Sequence, residues 1–395
     1  MKEGFEQFAV EVITGVRKGL RAGTLRLMLG GLSFIYRGAV GLRLWLYRNR
    51  ILREKHLGCM VVSIGNLTVG GTGKTPVVEM FARALSAGGR RVAILSRGYK
   101  SEAPPKQRLR DKLTGRRQEP PPRVVSDGTG PQPQLDSRIA GDEPFMLAQN
   151  LPGVAVVVDK NRVKAGRHAI GELGADTLLL DDGLQYLKLR HRLDIVLVDR
   201  QAPFGNEWML PRGFLREPPR NLRRASYIFI TKCDAATPND DLIRRIRRFN
   251  RTAEIIECRH APLHLTHLVT REQRPLDFLQ GRNIATISGI ARPESFEGGL
   301  EQLGSTIRFT RRFTDHHRYT ESEITEFILR ADDRGVDFIV TTEKDSVRFP
   351  DLSKSLLPVY FLRVEIEILT GQENWESCVQ RICQPHPVIP AQRWF

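Results

Sequence analysis

Val61-Val62-Ser63-Ile64-Gly65-Asn66-Leu67-Thr68-Val69-Gly70-Gly71-Thr72-Gly73-Lys74-Thr75-Pro76 is the stretch that decides the fold. Its first four residues read as a buried strand. Beyond it Val77, Phe81 and Leu85 recur at helical spacing. Strand, glycine-rich turn ending in Gly-Lys-Thr, then helix is the context of a phosphate-binding Walker A loop. Glycines let backbone N–H groups curl around an anion, and the helix N-terminus adds partial positive charge. Thr68, Gly70, Gly71, Thr72, Gly73, Lys74 and Thr75 are the expected ATP-phosphate contacts. Lys74 would reach the β- and γ-phosphates, and the Thr75 hydroxyl would ligate Mg²⁺. Thr68 stands where the usual spacing has its first glycine, so Gly70 and Gly71 supply the flexibility.

Around this loop, apolar runs alternate with helical stretches. The runs are Val61–Ile64, Val92–Leu95, Val154–Val158, Thr177–Leu180, Ile195–Val198, Tyr227–Ile230 and Glu254–Glu257. Continuous apolar runs suit parallel strands covered on both faces, and the alternation with helices suits βαβ units. A second set, Ile284–Ile287, Phe338–Thr341 and Val359–Leu362, follows Gly281. The expected fold is α/β: a P-loop NTPase-type, doubly wound, mostly parallel sheet with a second, smaller α/β domain and an N-terminal amphipathic helix. The expected domains are 1–57 (a basic N-terminal region), 58–270 (the P-loop domain) and 271–395 (a C-terminal α/β domain closing the cleft). Leu263–Arg282 reads as the hinge. Residues 101–137, rich in Pro, Arg, Lys and Gln, read as a surface insertion.

Leu178-Leu179-Leu180-Asp181-Asp182-Gly183 is an apolar strand ending in two carboxylates. Beside a P-loop that is a Walker B pattern, so Asp181 and Asp182 are the expected Mg²⁺ carboxylates. Gly141-Asp142-Glu143-Pro144 alone reads as a helix start, and Asp315-His316-His317-Arg318-Tyr319 alone as surface. No His/Cys set has zinc-ligand spacing. The five cysteines form no CxxC pair and suit a reducing compartment.

The net charge is +16, which calls for an acidic partner. Between Val12 and Arg53 there are nine Lys/Arg and no acidic residue, mixed with Leu25, Leu27, Met28, Leu32, Phe34, Ile35 and Trp45. That mixture points to an anionic membrane surface more than to a nucleic-acid groove. Arg26, Arg37 and Arg43 break the run too often for a spanning helix. The acidic start, with no cleavage-site pattern, speaks against a cleaved signal. Phe5, Phe8, Val12, Val16 and Leu20 would form one apolar stripe of an in-plane helix, or of a helix packed on the body. Arg244-Arg245-Ile246-Arg247-Arg248 reads as a solvated helix face, with no aromatic stacking pattern for nucleic acid.

The whole motif set resembles the tetraacyldisaccharide 4′-kinase family. The resemblance rests on the P-loop with its Thr68, on Ser96-Arg97-Gly98-Tyr99, Gly141-Asp142-Glu143-Pro144, Asp159-Lys160-Asn161-Arg162, Asp181-Asp182-Gly183-Leu184-Gln185, Phe204-Gly205-Asn206, Leu215-Arg216-Glu217-Pro218, Phe313-Thr314-Asp315-His316-His317 and Thr342-Glu343-Lys344-Asp345, in the family's order from about residue 40 to about 365. The family's pattern usually differs at Leu184, Tyr186, Glu207 and Trp208.

The resemblance implies ATP-dependent phosphorylation of the 4′-hydroxyl of a lipid A disaccharide precursor that already carries a 1-phosphate. It implies Asp142 as acceptor of the hydroxyl proton, with His316 as its partner. Arg162 would hold phosphate charge, and Asn66, Arg97, Arg216 and Glu217 would contact substrate. The N-terminal region would sit peripherally on the cytoplasmic face of the bacterial inner membrane. Neither nucleic acid nor an obligate protein partner is expected. The main alternative is a P-loop GTPase, because Thr231-Lys232-Cys233-Asp234 after a strand mimics the guanine-reading [NT]KxD motif.

Overall fold

The computed structural model describes residues 2–98, 101 and 120–384. Tyr99 and residues 102–119 of the expected insertion lie outside the described residues, as does the side chain of Phe5. The chain begins with helices α1 (Lys2–Thr14) and α2 (Leu20–Arg48), then β1 (Met60–Asn66), α3 (Lys74–Ala87) and β2 (Val92–Ser96). Next come β3 (Arg123–Asp127), α4 (Ser137–Ala140), α5 (Asp142–Asn150), β4 (Ala155–Val158), α6 (Arg162–Gly171), β5 (Thr177–Asp181), β6 (Leu193–Asp199) and β7 (Tyr227–Thr231). α7 (Asp240–Arg247), β8 (Glu254–His267), β9 (Gln273–Arg274), β10 (Asn283–Ser288), α8 (Pro293–Gln302), β11 (Thr306–Arg312) and α9 (Glu321–Asp332) follow. The last elements are β12 (Phe338–Thr342), α10 (Glu343–Ser346), β13 (Val359–Thr370) and α11 (Gln372–Cys383).

The chain forms two compact units. One takes Met1–Leu95, Asn161–Arg259 and Ile368–Phe395, the other Ser96–Lys160 and His260–Glu367. Where the sequence reading places a hinge at Leu263–Arg282, β8 runs on to His267. Where it places 271–395 in one domain, Ile368–Phe395 groups with the first unit.

In the first unit β1 lies between β5 and β6, with β2 beyond β5 and β7 and β8 beyond β6, all parallel. Every residue of β1, β5 and β7 is buried, which is why Leu178–Leu180 and Tyr227–Ile230 run apolar instead of alternating. Ile64 pairs with Asp181. That register brings the start of the glycine-rich loop beside the carboxylates ending β5, at the point where strand order reverses. In the second unit β10 pairs β11 and β12, and β12 pairs β13, all parallel. The side chains of Ile287, Phe327, Ile339 and Val359 form one part of that unit's core.

Two elements correct the sequence reading. Within 101–137, β3 pairs antiparallel with β4 and buries Val125 and Ser126. Two β-branched residues inside a Pro- and Arg-rich flank were enough to make a strand. The expected Phe5–Leu20 stripe is two pieces. Gly15 and Gly19 adopt left-handed φ values of 86° and 114°, so the helix stops and restarts. Val12 is buried, while Val16 and Leu20 are 74% and 94% exposed.

α2 is two-faced instead. Ser33 donates to Met209 O (2.9 Å), Tyr36 to Arg216 O (3.2 Å) and Arg43 to Gln185 O (3.0 Å). Phe34 packs edge-on against Trp208, whose ring also carries the Arg212 guanidinium at 3.5 Å. Leu27, Met28, Ile35, Leu42 and Trp45 remain exposed. No helix among the described residues is long and apolar enough to cross a membrane.

Close approach fixes Gly65. A Cβ there would lie 2.7 Å from Leu184 Cβ and 2.9 Å from its backbone N, a collision that backbone cannot relieve cheaply. Gly65→Ala is expected to cost about 1–3 kcal/mol by overpacking, read as a lower chemical-denaturation midpoint. An unchanged midpoint would mean that the β1 and Leu184 backbones separate freely.

Candidate active site

The glycine-rich loop leaves β1 and enters α3 through Gly73, whose φ of 79° is left-handed. Cβ atoms built at Gly70 and Gly71 would meet nothing within 4 Å, so the loop is open on that side. Its shape is held from beneath by Asn66, which is fully buried. The Asn66 amide donates to the hydroxyls of Thr72 (3.0 Å) and Thr68 (3.3 Å), and its Oδ1 accepts from Lys74 (3.4 Å) and from Arg216. Gln185 donates to Asn66 O at 3.0 Å. The geometry therefore gives Asn66 a bracing position within the loop.

The Thr231-Lys232-Cys233-Asp234 segment braces the same loop. Thr231 donates to Thr72 O (2.9 Å), and Lys232 donates to Gly71 O (2.6 Å) and to Asp199 (2.6 Å). Asp234 turns back on its own chain, accepting from Ala236 N and Thr237. Thr231 and Lys232 are spent on bracing the P-loop and Asp234 on its own turn, and that weakens the guanine-reading interpretation.

At the end of β5, Asp182 holds a left-handed φ of 53°, a strained setting for a non-glycine residue. Arg216 grips both its oxygens at 2.8 and 2.9 Å, and Lys74 stands 3.7 Å away. Burial pushes the Asp182 carboxyl up, but the hydrogen bonds from Arg216 and the charges of Lys74, Arg216 and Arg162 outweigh it and hold it at about 2. Arg162, buried at the start of α6, donates to Asp181 O (3.2 Å) and lies over the Tyr186 ring. Lys74, Arg162, Arg216, Asn66, Asp181 and Asp182 are thus brought together in the first unit. Glu217 is also buried there, bound to Asn221 and Arg224 at 2.7 Å each.

The donors available to a cation are the Thr75 hydroxyl and the Asp181 and Asp182 carboxylates. An all-oxygen set of this size suits magnesium, which takes one or two carboxylates plus nucleotide phosphates. No group of three or more His, Cys, Asp and Glu that could hold a metal occurs among the described residues.

In the second unit, Asp142 opens α5 behind Gly141, whose φ is 91°. His316 Nδ1 lies 3.2 Å from Asp142 Oδ2, Arg348 Nε 2.8 Å from the same oxygen, and Arg318 Nη2 3.2 Å from Oδ1. Burial raises the Asp142 carboxyl, and the His316 hydrogen bond with the Arg348 and Arg318 charges more than reverses it, so its pKa is lowered. His316 has a left-handed φ of 67° and Lys344 3.4 Å from its other nitrogen. His317 instead meets Glu323 at 3.1 Å and stacks on Phe313, so His316 is the Asp142 neighbour. Sequence reasoning missed Arg318, Arg348 and Lys344. Two of them lay inside quoted motifs, whereas Arg348 carried no signal. Arg97 is exposed just after β2.

The family model for tetraacyldisaccharide-1-P 4′-kinase matches residues 25–384. The chain belongs to that family. The tetraacyldisaccharide 4′-kinase of Anaeromyxobacter sp. (strain K) is 40% identical over 362 residues, 89% of this chain and 90% of that protein. The enzyme of the same name from Syntrophus aciditrophicus is 37% identical over 361 residues, 89% of this chain and 92% of its own. The crystal structure of LpxK from Aquifex aeolicus in complex with ATP is 28% identical, with a TM-score of 0.69, covering 91% of this chain and 99% of that one. The family is one of kinases, and both carboxylate clusters described above fall within the matched residues.

The Asp182 cluster makes an acid-range prediction. A carboxyl held at about 2, below its ordinary 3.8, contributes stability above pH ~4 that disappears as pH falls toward ~2. Asp182→Asn should lower Tm at neutral pH, because Lys74 and Arg216 lose their counter-charge, and should flatten the further loss between those pH values. An acid-unfolding curve as steep as wild type would contradict the assignment.

Proposed function

We propose that the chain, as a kinase of this family, moves the γ-phosphate of ATP to the 4′-hydroxyl of tetraacyldisaccharide 1-phosphate through two separately built charge centres. The single observation that carries this is the compensated cluster of Lys74, Arg216 and Asp182 directly under an open glycine loop. Phosphoryl transfer needs positioning and neutralisation of phosphate charge more than covalent chemistry. Backbone N–H groups of the 70–75 loop and the start of α3 receive the phosphates. Lys74 neutralises the β- and γ-phosphates, and Arg162 adds charge. Thr75 and Asp181 would hold magnesium, with Asp182 beside them oriented by Arg216; the ion supplies further neutralisation of the transferring group.

Asp142 takes the acceptor hydroxyl proton. A carboxylate this acidic is a weak base in the ground state, but a loose transition state needs the proton removed only late. His316 orients it and stabilises its charge. Arg97, exposed near the start of the second unit, is suited to the acceptor's 1-phosphate, while the buried Asn66 and Glu217 act on substrate through the loops they hold.

The substrate's acyl chains stay in a bilayer, so the enzyme meets it at a membrane surface. The exposed Leu27, Ile35, Leu42 and Trp45 of α2, among basic residues, support peripheral docking on an anionic leaflet. In a bacterium making this lipid, that leaflet is the cytoplasmic face of the inner membrane.

Lys74→Ala should lower kcat by ~10²-fold or more, since a preorganised charge at the transferring phosphate is removed. Retention of most of kcat would refute the nucleotide-side assignment. Asp142→Ala and His316→Ala should each lower kcat with little change in the KM for ATP, and the double variant should be little worse than the poorer single one. Fully multiplicative losses would show that the two do not act as a pair. Ile35→Glu with Leu42→Glu should reduce pelleting with anionic vesicles and raise the apparent KM for the lipid, leaving ATP binding alone. Undiminished pelleting would remove α2 from the membrane contact.

A further inference from the structure

Asp142 is built into more than a pair with His316. The Arg348 side chain is 0% exposed. Its Nε meets Asp142 Oδ2 at 2.8 Å, and its Nη1 meets Asp345 Oδ1 at 3.1 Å and Gly289 O at 3.4 Å. Its Nη2 is buried with no hydrogen-bond partner among the described residues. Asp345 is equally buried. It accepts from Gly289 N (3.1 Å) and Tyr319 OH (3.0 Å) on Oδ1 and from Thr342 (2.6 Å) on Oδ2. A buried ion pair is weak evidence for stability, because desolvation offsets attraction. A fully buried guanidinium that leaves one nitrogen unfilled is therefore poorly explained by the fold alone.

The two carboxylate oxygens of Asp142 are not equivalent. Oδ2 is taken by Arg348, whose side chain is fully buried, and by His316, whose side chain is 14% exposed. Oδ1 meets only Arg318 among the bonds described, and the Arg318 side chain is 38% exposed. Arg318 Nη2 is shared with Ser137 O (3.1 Å), and a shared donor on a partly exposed side chain yields to an incoming hydroxyl more readily than one locked between two aspartates.

We propose that Arg348, anchored by Asp345, is a positioning residue for the phosphoryl transfer: it fixes the orientation and charge of Asp142 so that Oδ1 faces the acceptor hydroxyl. The hydroxyl proton passes to Oδ1 as the sugar oxygen bonds to the γ-phosphorus. The bond between that phosphorus and the β–γ bridging oxygen breaks, and ADP leaves with its electron pair. The proposal rests on Asp142 being the proton acceptor.

The charged groups facing Asp142 come from two further segments: His316 and Arg318 from the segment after β11, and Arg348 from the segment after α10. Lys344 of α10 approaches His316, Asp315 and Glu143, the neighbour of Asp142. Removing Arg348 leaves burial opposed by His316 and Arg318 alone, so the Asp142 carboxyl titrates higher. Since the base must be ionised, the acid limb of the kcat–pH profile then moves to higher pH.

The test is that profile for wild type, Arg348→Met, Arg348→Lys, Asp345→Asn and Asp142→Asn, with KM for ATP and Tm measured alongside. Arg348→Met should lower kcat by roughly 10²-fold through misplacement of the base, move the acid limb up by about one pH unit or more, and leave the KM for ATP alone. Arg348→Lys keeps the charge without the fork, so its limb should stay near wild type while kcat falls. Should Arg348→Met fail to fold, Arg348→Lys and Asp345→Asn carry the test, both expected to lose kcat at unchanged KM for ATP. Wild-type kcat in these variants, or lost kcat with the Arg348→Met limb unmoved, overturns the proposal while the base assignment stands. Wild-type kcat in Asp142→Asn overturns the base assignment itself.

Discussion

The pairing of β1 with β5, with Ile64 opposite Asp181, is the constraint on which the nucleotide side of this enzyme depends. A shift of one residue in that register would carry the two carboxylates away from the glycine loop and turn buried apolar side chains the wrong way. With the register fixed, Asp182 lands where Lys74 and Arg216 can both reach it. The Lys74 and Arg216 side chains are only 17% and 18% exposed, and crowding these two cations together would be costly without Asp182 between them. Together the two cations outweigh the one carboxylate, an excess of positive charge that suits the proposed phosphate site.

The strand and helix skeleton was legible because it follows from period and composition. Leu178–Leu180 and Tyr227–Ile230 are apolar throughout since both faces are covered, and Lys74-Thr75 after a run of glycines has few other readings. β3 was not legible, since two valines amid Pro and Arg give almost no periodic signal. The break between α1 and α2 was written in Gly15 and Gly19, but the helical spacing of Phe5, Phe8, Val12, Val16 and Leu20 masked it. Asn66 and Lys232 show a different limit. Sequence marked both as motif residues, yet only the fold reveals that they hold the glycine loop from below.

The acceptor side was the least legible part. Asp142 and His316 are 174 positions apart in the chain, and nothing local in either suggests the other; only the family resemblance paired them. Arg348 illustrates the physical reason. A buried arginine is recognisable by its environment, and that environment is made by Asp345, Gly289 and Asp142, three separate segments of one unit. The asymmetry it creates between the two oxygens of Asp142 exists only in three dimensions.

In the proposed reaction the open glycine loop and its compensated carboxylate deliver the γ-phosphate of ATP to a lipid-anchored sugar hydroxyl. The most direct measurement incubates the purified full-length protein with γ-labelled ATP and tetraacyldisaccharide 1-phosphate in mixed micelles and locates the label. Label is expected on the 4′ position of the disaccharide, giving a bisphosphate, with GTP a poor donor. Label released only as inorganic phosphate, or transfer that runs as well from GTP, would contradict it.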